Sequence, residues 1–478
     1  MTSTGRYDAV VVGAGPNGLA AAVVLAQSGK SVLVLEAGET VGGGVRSAEL
    51  TLPGFVHDVC STIYGLAAGS PFMKRLPLAE HGVEWRRSPA PLAHPLDGGT
   101  AVMLETSVEA TSDALNGDGW AYRRLVGALA SNWDGLAGAA LAPISPAHLL
   151  KNMLVLGRFG PVAMLPSTWV AKALRGEGAR ALFAGLAGHS MLPLNRAPAG
   201  FPLLLAASAH ATGWPVVRGG SQRLADGLAS YLRSLGGEIV TGVRVKTVDD
   251  LPKAKTVLLD MAPKGVIEVA GHRLSAGYAG RLKRYRYGPG VFKIDWALDG
   301  PVPWTAPECA RAAMVHLGGT DREIEESESA VWAGTHPERP FVLFAQPSLF
   351  DSTRAPDGKH TAWAYCHVPS GSTVDMTDRI EAQVERYAPG FRDLVLARHT
   401  RTADQIEAYN PNYVGGDING GVQDLRQHFA RPVLSTNPYA TSAPGIYICS
   451  SATPPGGGVH GMCGFHAASA VLKRELRG

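Results

Sequence analysis

Cysteine is scarce in this sequence, and the few cysteines stand far apart. The chain has 478 residues, and its five cysteines are Cys60, Cys309, Cys366, Cys449 and Cys463. No two of them form the C-x-x-C pair that zinc sites and dithiol redox centres use, so we predict no metal site. An odd number at wide spacing also excludes a disulfide scaffold. We therefore expect a protein of a reducing compartment, the cytoplasm.

A dominant charge of one sign is missing as well. Lysine and arginine number 44 against 41 aspartates and glutamates, which leaves a net charge of +3, and mean hydropathy is +0.03. This balance excludes the basic surface that follows a nucleic-acid backbone, so nucleic acid is not an expected partner. The first apolar run begins at Ala9 directly after Asp8 and is interrupted by glycines, a pattern that excludes a signal peptide and a membrane span.

The chain is rich in length, apolar residues and glycine. At 478 residues it is long enough for two or three domain-sized lobes, and 45% of its residues are apolar. Glycine accounts for 58 residues, about 12% against an average near 7%. Many tight turns or close approaches of backbone to a ligand are therefore expected.

The first 36 residues predict one β-α-β unit. A buried strand over 7–12 runs into Gly13-Ala14-Gly15-Pro16-Asn17-Gly18, a helix follows over 19–27, and a second strand over 31–35 ends in Glu36. A G-x-G-x-x-G between strand and helix, followed by an acid after the second strand, is typical of dinucleotide binding.

Each part of this unit has a physical role. Gly13 permits the tight turn, Gly15 lets the backbone approach a pyrophosphate, and Gly18 lets helix and strand pack closely. The helix N-terminus then holds the phosphates, while Glu36 accepts hydrogen bonds from the ribose hydroxyls and disfavours the 2′-phosphate of NADP. The predicted cofactor-binding residues are Gly13, Gly15, Pro16, Asn17, Gly18, Glu36 and Ala37. The alternative is a glycine-rich turn that binds nothing.

A second glycine cluster follows the ribose-binding strand. The run Val41-Gly42-Gly43-Gly44-Val45-Arg46 resembles the extended motif of flavoproteins in the glutathione-reductase-like group, which an NAD dehydrogenase does not need. Glycines here permit close approach to a ribityl chain or flavin edge, with Arg46 near the pyrophosphate or the flavin. The predicted contacts are Gly43, Gly44, Val45 and Arg46. The alternative is a surface turn.

Residues 141–214 form an apolar segment that predicts several short helices. Leu, Ala, Met, Phe and Pro dominate it, with isolated cations at Lys151, Arg158, Lys172, Arg175 and Arg180. Three interpretations stay open: a helical cap that lines an apolar tunnel, a surface that touches a membrane, and plain core packing.

A nucleotide-type pattern returns after this segment. Gly219-Gly220-Ser221 precedes a predicted helix over 222–235 and a strand over 238–245, and another short buried strand is predicted over 256–260. In flavoproteins such a helix-then-strand unit contacts adenine through the strand backbone, which makes Val243 and Val245 the candidates.

Two later stretches carry further candidate residues. Alternation along a predicted strand within 287–304 places Lys293 and Asp295 together on one face, opposite an apolar face. Near the C-terminus, a strand over 445–449 leads into a glycine-rich loop over 450–464 and a helix from about Phe465, which offers a second helix N-terminus to an anion or a flavin carbonyl. The candidate contacts in this loop are Ser451, Gly458, Val459 and His460.

Taken in order, these motifs resemble those of the phytoene-desaturase-like branch of the amine oxidase flavoprotein superfamily, over nearly the whole chain. The resemblance implies an α/β fold: a glutathione-reductase-like Rossmann FAD-binding domain, interleaved with an α+β substrate-binding domain that carries a helical cap. The expected FAD-binding segments are 1–70, 215–287 and 432–478. The expected substrate-binding segments are 71–214 and 288–431, with the apolar helical segment at 141–214.

The resemblance also implies a cofactor and two catalytic candidates. FAD is expected, held covalently or non-covalently. Lys293 occupies the position of the amine oxidase lysine that contacts flavin N5 through water, and the alternative is a solvated strand lysine paired with Asp295. His460 is a candidate for contact with flavin or substrate, and its alternative is a packing role. Many relatives have Gly-Asp before the final loop where this chain has Ser450, Ser451 and Ala452, so the ribityl contacts differ.

The expected function is an FAD-dependent oxidoreductase that transfers hydride between a hydrophobic substrate and flavin N5, with desaturation or saturation of a C–C bond. The substrate would be an isoprenoid or another lipid-like molecule. The alternatives are a flavin amine oxidase and a non-catalytic or redox-neutral FAD-binding protein. The middle third lacks a second G-x-G-x-x-G unit, so we expect oxygen or a quinone, rather than NAD(P) bound in its own domain, to accept the electrons.

Overall fold

The structure, a computed structural model, describes residues 7–144 and 146–476 and contains two large β-sheets. Residues 1–6, 145 and 477–478, which fall in the predicted segments 1–70, 141–214 and 432–478, lie outside the described residues. In chain order, the strands are β1 (Tyr7–Val12), β2 (Val32–Leu35), β3 (Ser47–Ala48), β4 (His57–Asp58), β5 (Trp85–Arg86), β6 (Ala90–Leu96), β7 (Thr100–Leu104), β8 (Val216–Val217), β9 (Glu238–Val240), β10 (Ala254–Leu259), β11 (Gly290–Leu298), β12 (Ala312–Leu317), β13 (Val342–Ala345), β14 (His360–Val368), β15 (Val395–Arg401) and β16 (Ile446–Ile448).

The helices pack around both sheets. In chain order they are α1 (Pro16–Gln27), α2 (Gly65–Ala68), α3 (Val108–Ala114), α4 (Gly119–Tyr122), α5 (Ala128–Ala130), α6 (Trp133–Ala140), α7 (Pro146–Lys151), α8 (Met153–Ala163), α9 (Ser167–Lys172), α10 (Glu177–Gly188), α11 (Gly200–Thr212), α12 (Gln222–Ser234), α13 (Pro263–Ala270), α14 (Ala276–Lys283), α15 (Asp321–Trp332), α16 (Thr377–Tyr387), α17 (Ala403–Tyr409), α18 (Leu425–Phe429) and α19 (Met462–Arg474).

The first sheet has five parallel strands in the order β16-β10-β1-β2-β9. Along β1, Ala9 and Val11 belong to the core shared with α1, α12 and α19, whereas Val10 and Val12 belong to the core shared with α13 and α14. Burial on both faces explains why these strands are continuous apolar runs. The parallel order brings the carboxyl ends of β1, β2 and β10 to one edge of the sheet, where the candidate site lies.

The second sheet has seven strands in the order β15-β11-β14-β13-β12-β6-β7 and is mixed, because β6 and β12 are parallel while the other neighbours are antiparallel. On β11, the predicted alternation is present. Phe292, Ile294, Trp296 and Leu298 lie in an apolar core. Lys293 and Asp295 point to the opposite face and contact each other.

The predicted fold class is confirmed: a parallel Rossmann-like sheet stands beside a separate mixed sheet, with helices between. The strands of the parallel sheet come from three separated stretches, 7–35, 238–259 and 446–448. Residues 141–214 are largely helical, from α7 to α11. The exact domain boundaries stay a prediction.

Three element boundaries differ from the prediction by three residues or more. The first helix begins at Pro16 rather than at residue 19, because the fixed φ of proline suits the first helical position. The strand predicted over 238–245 ends at Val240, since Gly242 takes a left-handed φ of +71°. The last helix begins at Met462 rather than Phe465, directly after Gly461 with φ +70°.

Candidate cofactor and substrate site

One cavity of about 770 Å³ joins the carboxyl edge of the parallel sheet to the mixed sheet. Most of the predicted cofactor-binding residues line it, and we call the end at the glycine loop and Glu36 the nucleotide end. These are Gly13, Gly15, Pro16, Asn17, Glu36, Ala37, Gly43, Gly44, Arg46, Val243, Ser451, Gly458 and Val459. Its volume lies within the usual range of ~300–1,000 Å³ for small-molecule and cofactor sites.

The dinucleotide loop is packed so closely that its glycines cannot be replaced without movement. Gly13 has φ +105°, a conformation that side chains rarely adopt. A Cβ at Gly15 would lie 2.7 Å from Asp260 Oδ2, and one at Gly18 would lie 2.1 Å from the carbonyl oxygen of Gly13. Helix α1 begins here with no side-chain cap at Gly15, so the positive end of its dipole faces the cavity.

Glu36 is held in place by the loops around it. Its Oε2 accepts the backbone N–H of Ala14 at 2.8 Å, and its Oε1 accepts the N–H of Gly38 at 2.7 Å. Arg46 Nη2 also donates to Oε1 at 3.1 Å, which places Arg46 beside the acid. Each carboxylate oxygen has two lone pairs, so the group keeps capacity for a ribose hydroxyl.

Asp260 is a site residue that the sequence analysis missed. It follows β10 directly, lines the cavity, and accepts the backbone N–H of Gly18 through Oδ2 at 2.9 Å. Burial, helped by the nearby carboxylate of Glu36, raises the pKa of Asp260 to about 7, against the lowering effect of the Gly18 hydrogen bond. Its position could have been inferred, because the carboxyl ends of neighbouring parallel strands meet at one edge.

The other end of the cavity, which we call the substrate end, is built from apolar and aromatic side chains. It is lined by Leu66, Met191, Phe201, Leu205, Trp214, Met314, Trp363 and Tyr365. The rings of Trp363 and Tyr365 are nearly parallel, at 13°, with centroids 5.8 Å apart. Trp363 is fixed by its Nε1 group, which donates to Thr62 Oγ1 at 2.7 Å. The sequence predicted strand β14 but gave no sign that these two rings face a cavity.

Lys293 lies behind this wall rather than on it. It lines an adjoining cavity of about 20 Å³, together with Cys60, Tyr365 and Tyr413, which line both cavities. A space of this size holds one water molecule. The ammonium of Lys293 lies 2.5 Å from Asp295 Oδ1 and 4.8 Å from the ring centre of Trp363.

Lys293 belongs to a buried polar cluster. Asp295 Oδ1 lies 3.7 Å from His57 Nδ1, and Asp295 Oδ2 lies 3.8 Å from His399 Nδ1. Burial alone would raise the pKa of Asp295, but the ammonium of Lys293 and the two histidines hold it below its ordinary value. Burial lowers the pKa of His57 to about 4 despite the attraction of Asp295. The alternative prediction, a solvated lysine paired with Asp295, is right about the pairing but wrong about solvation, since both residues are buried.

Besides Lys293, three predicted residues do not line the large cavity. Gly18 lies inside α1 and has a packing role. Val45 is fully buried in the apolar core next to α1. His460 is fully buried too, and its Nδ1 accepts the N–H of Met462 at 3.0 Å. The geometry therefore gives no support to His460 as a contact for flavin or substrate.

Two other features bear on the kind of site. Within residues 7–144 and 146–476, no three His, Cys, Asp or Glu side chains are grouped so that they could hold a metal ion. In the same ranges, no helix has the length and apolarity needed to cross a membrane.

Comparison with known proteins identifies the fold. Residues 11–76 match the NAD(P)-binding Rossmann-like domain. The pyridine nucleotide-disulfide oxidoreductase domain-containing protein 2 of Rattus norvegicus is 27% identical over 99% of this chain and 94% of its own length. An oxidoreductase from Methanosarcina mazei has a TM-score of 0.65 at 17% identity over 98% of this chain and all of its own. Putrescine oxidase with bound putrescine has a TM-score of 0.61 at 18% identity over 98% of this chain and 99% of its own.

These relatives and fold neighbours are oxidoreductases, in agreement with the predicted enzyme class. The resemblance predicted from the motifs is confirmed at the level of the fold: residues 11–76 match a Rossmann-like domain, and the chain shares the fold of the Methanosarcina mazei oxidoreductase and of putrescine oxidase.

Proposed function

We propose that this protein is an FAD-dependent oxidoreductase that transfers hydride between a carbon of an apolar substrate and flavin N5, forming or reducing a C–C double bond. One observation carries the proposal. A single continuous cavity is lined at one end by the dinucleotide loop and Glu36, and at the other end by apolar and aromatic side chains. Cofactor and substrate would therefore share one enclosed space, as hydride transfer requires.

The residues at the nucleotide end fit FAD. The glycine loop and the N-terminus of α1 would hold the pyrophosphate, Glu36 would accept the ribose hydroxyls, and Val243 would lie beside the adenine. Bound FAD would supply a hydride acceptor or donor at N5. The chain's own contribution is to bind, to orient and to exclude water.

Lys293 has a proposed role in handling a proton at this site. Its ammonium reaches the adjoining one-water cavity, while Asp295 and the ring of Trp363 keep it in place. A positive charge held one water molecule from the flavin would stabilise negative charge and could pass a proton through that water. This role agrees with the position that the family resemblance implies for this lysine.

The substrate end favours a neutral apolar molecule. Three acidic residues line the described part of the cavity: Glu36, Asp260 and Glu268. Glu36 follows β2, Asp260 follows β10, and Glu268 lies on α13, so all three belong to the parallel-sheet side. A cationic amine would find no carboxylate among the described residues at the other end. Apolar walls without a counter-ion support a lipid-like substrate.

Amine oxidation is the second candidate, because one observation favours it. Trp363 and Tyr365 place two nearly parallel aromatic rings on the cavity wall, and aromatic faces attract amines through cation–π contacts. The fold neighbours named above include a putrescine oxidase. The two candidates differ in whether the substrate carries a positive charge.

The first experiment identifies the cofactor. The purified protein is denatured, and the supernatant is analysed by absorbance and mass spectrometry. We expect FAD, together with any apolar molecule that co-purifies. Absence of flavin, combined with failure of the apoprotein to take up added FAD, would contradict the proposal.

The second experiment separates the candidate reactions. Anaerobic FAD-loaded protein is mixed with isoprenoid polyenes or with primary amines, and bleaching of the flavin is followed in a stopped-flow instrument. Photoreduced protein is mixed with unsaturated substrates, oxygen, a soluble quinone or NAD(P)⁺. We expect reaction with apolar alkenes and reoxidation by oxygen or quinone. Bleaching by amines alone would favour the second candidate, and no substrate-dependent change at all would favour a non-catalytic FAD-binding protein.

We also propose that the helical segment binds anionic membranes peripherally. Large apolar side chains are exposed there, including Leu149, Leu150, Met153 and Leu154, which are 49%, 74%, 62% and 82% accessible. No acidic residue occurs in the whole stretch from 135 to 176, while the four cations Lys151, Arg158, Lys172 and Arg175 are exposed. Exposed apolar side chains beside exposed cations are typical of surfaces that bind anionic lipid.

This surface lies next to the helix that lines the cavity. Helix α8 packs against α11, which contributes Phe201 and Leu205 to the substrate end. We expect wild-type protein to sediment with vesicles that contain phosphatidylglycerol, more weakly at high salt. The double variant Leu150→Ser/Leu154→Ser should lose this binding. A matched control, Leu396→Ser/Leu434→Ser, alters leucines exposed elsewhere and should retain it. Equal sedimentation of both variants would contradict the membrane proposal.

A further inference from the structure

Three histidines, two of them fully buried, form a chain that starts at the substrate end of the cavity. His189 follows α10 and lines the cavity, and its Nε2 lies 2.9 Å from Nε2 of His316 on β12. His316 in turn neighbours His94 on β6, because Val315 pairs with Ala93 in the parallel ladder. Ring centroids are 4.9 Å apart for the first pair and 6.3 Å for the second.

The far end of this chain fixes where one proton lies. His94 Nε2 is 2.7 Å from the carbonyl oxygen of Gly319. A carbonyl only accepts hydrogen bonds, so Nε2 of His94 must carry the proton. Nδ1 of the same neutral ring is therefore a lone pair.

His316, the middle one of the three histidines, then has one favourable tautomer. A Cβ on Gly185 would lie 2.6 Å from His316 Nδ1 and 3.1 Å from His94 Nδ1, so both nitrogens face the same small space beside α10. Neither has a hydrogen-bond partner among the described residues. If His316 carries its proton on Nδ1, that N–H faces the Nδ1 lone pair of His94. If His316 carries its proton on Nε2 instead, two buried lone pairs face each other, which is unfavourable.

The hydrogen-bond direction along all three histidines follows from these two assignments. With its proton on Nδ1, His316 accepts at Nε2, so the proton in the contact with His189 belongs to Nε2 of His189. Nδ1 of His189 is then a lone pair. Within the described part of the chain this nitrogen has no hydrogen-bond partner, and it is not among the fully buried atoms. Nδ1 of His189 is therefore the hydrogen-bond acceptor that the three histidines present to the cavity.

The three rings are neutral near pH 7. Burial lowers the pKa of His189 to about 3, with the neighbouring His367 acting in the same direction. Burial lowers the pKa of His94 to about 4, against the attraction of Gly319 and Glu323, and lowers that of His316 well below its ordinary value. Neutral rings keep the alternating donor and acceptor pattern intact.

We propose that His189 is a hydrogen-bond acceptor for the substrate, set in one tautomer by His316 and His94 as positioning residues. The substrate then carries an O–H or N–H donor on an otherwise apolar body, as an apolar alcohol does. This substrate class rests on the proposed function of the cavity, whereas the tautomer pattern does not depend on it.

The tautomers can be measured in the apoprotein. Histidine labelled with ¹⁵N is incorporated, and the signals are assigned with His189→Gln, His316→Gln and His94→Gln variants. We expect the proton on Nε2 in His189 and His94 and on Nδ1 in His316. A proton on Nε2 of His316, or a protonated ring among the three at pH 7, would overturn the proposal. FAD is not needed, so a failure of the proposed function would leave this result intact.

A second variant separates positioning from simple packing. In His94→Phe the nitrogen lone pair that faces His316 Nδ1–H is gone, so His316 should move its proton to Nε2 and His189 should move its proton to Nδ1. His94→Asn, which keeps an oxygen near the former Nδ1, should restore the wild-type pattern. Unchanged tautomers in His94→Phe would show that His94 only fills space and would overturn its positioning role.

The substrate class is tested with two matched probes in FAD-loaded protein. Benzyl alcohol has a donor, and benzyl methyl ether does not. We expect the alcohol to bind at least about fivefold more tightly to wild type, and the preference to vanish in His94→Phe. Equal affinities in wild type, or no binding of either probe, would overturn the substrate assignment.

Discussion

The nucleotide end and the substrate end of the cavity are built from different parts of the polypeptide. At the nucleotide end, backbone groups of the glycine loop and of residues 36–46 form the wall, with Glu36 tied down by two backbone N–H groups. At the substrate end, side chains from distant segments form it, among them Phe201, Trp214 and Trp363. A backbone-built wall tolerates almost no added atom, whereas a side-chain wall changes shape when one residue changes.

The largest effect is expected at the nucleotide end, for Gly15→Val. The added Cβ would lie 2.7 Å from Asp260 Oδ2 and would displace the loop that approaches the pyrophosphate. We expect FAD affinity to fall by at least about 100-fold, about 2.7 kcal/mol, measured by calorimetric titration of the apoprotein. Gly277→Ala, with open space around its Cβ, is the control and should bind FAD normally. Normal FAD binding by Gly15→Val would contradict the claim that the wall at the nucleotide end tolerates almost no added atom.

A smaller effect, on the reaction rate rather than on FAD affinity, is expected for Lys293→Met, near the substrate end. FAD should still bind, because Lys293 does not line the nucleotide end. Flavin reduction or reoxidation should slow by more than tenfold, over about 1.4 kcal/mol of barrier, in stopped-flow half-reactions. Lys359→Met, which breaks an exposed pair with Asp299, should leave both rates unchanged. Wild-type half-reaction rates in Lys293→Met would show that this lysine has no chemical role.

Asp260 predicts a pH dependence confined to the nucleotide end. Its folded pKa of about 7 exceeds the ordinary 3.8, so the folded state holds the proton more tightly. Stability from this group therefore falls as pH rises from about 4 to about 7 and is constant above that range. Since the ionised form also repels pyrophosphate, the Kd for FAD should rise several-fold between about pH 6 and pH 8.

The measurement is a set of FAD titrations across that pH range. Asp260→Asn keeps an oxygen acceptor for Gly18 N–H and should remove the dependence, while Asp226→Asn, on the exposed face of α12, should retain it. A flat profile in wild type would contradict the role given to Asp260.

The smallest effect is expected for Trp363→Phe at the substrate end. This change removes the hydrogen bond to Thr62 and weakens the contact with the Lys293 ammonium while keeping an aromatic ring. We expect about 1 kcal/mol less stability in denaturant unfolding and no change in FAD affinity. A large loss of FAD affinity would mean that the two ends are not separate in function.

The same contrast explains which parts of the site could be predicted from sequence. Gly13, Gly15 and Glu36 act through backbone geometry at fixed spacings in one β-α-β unit, so the printed order of residues already implies their arrangement. Trp363 and His189 are brought to one cavity by sheet order and helix packing, and no local spacing records that. Strand alternation predicted that Lys293 and Asp295 share a face, but it gave no measure of their burial.

Sequence reasoning failed at Asp260 and at His460, for two different reasons. Asp260 lies at the end of a predicted strand, and it was missed because the strand was not placed beside β1. His460 belongs to a loop of the right composition, yet its ring is buried and does not line the cavity, which composition does not reveal.

The order of strands in the parallel sheet has a consequence for how the protein is made. One edge strand is β16 at residues 446–448, and α19, which packs on α1, begins at Met462. Both are synthesised long after the dinucleotide loop, because residues 446–474 follow that loop at a great distance along the chain. We therefore expect FAD to be captured only after residues 446–474 have been synthesised, with the unfinished sheet open to chaperones until then.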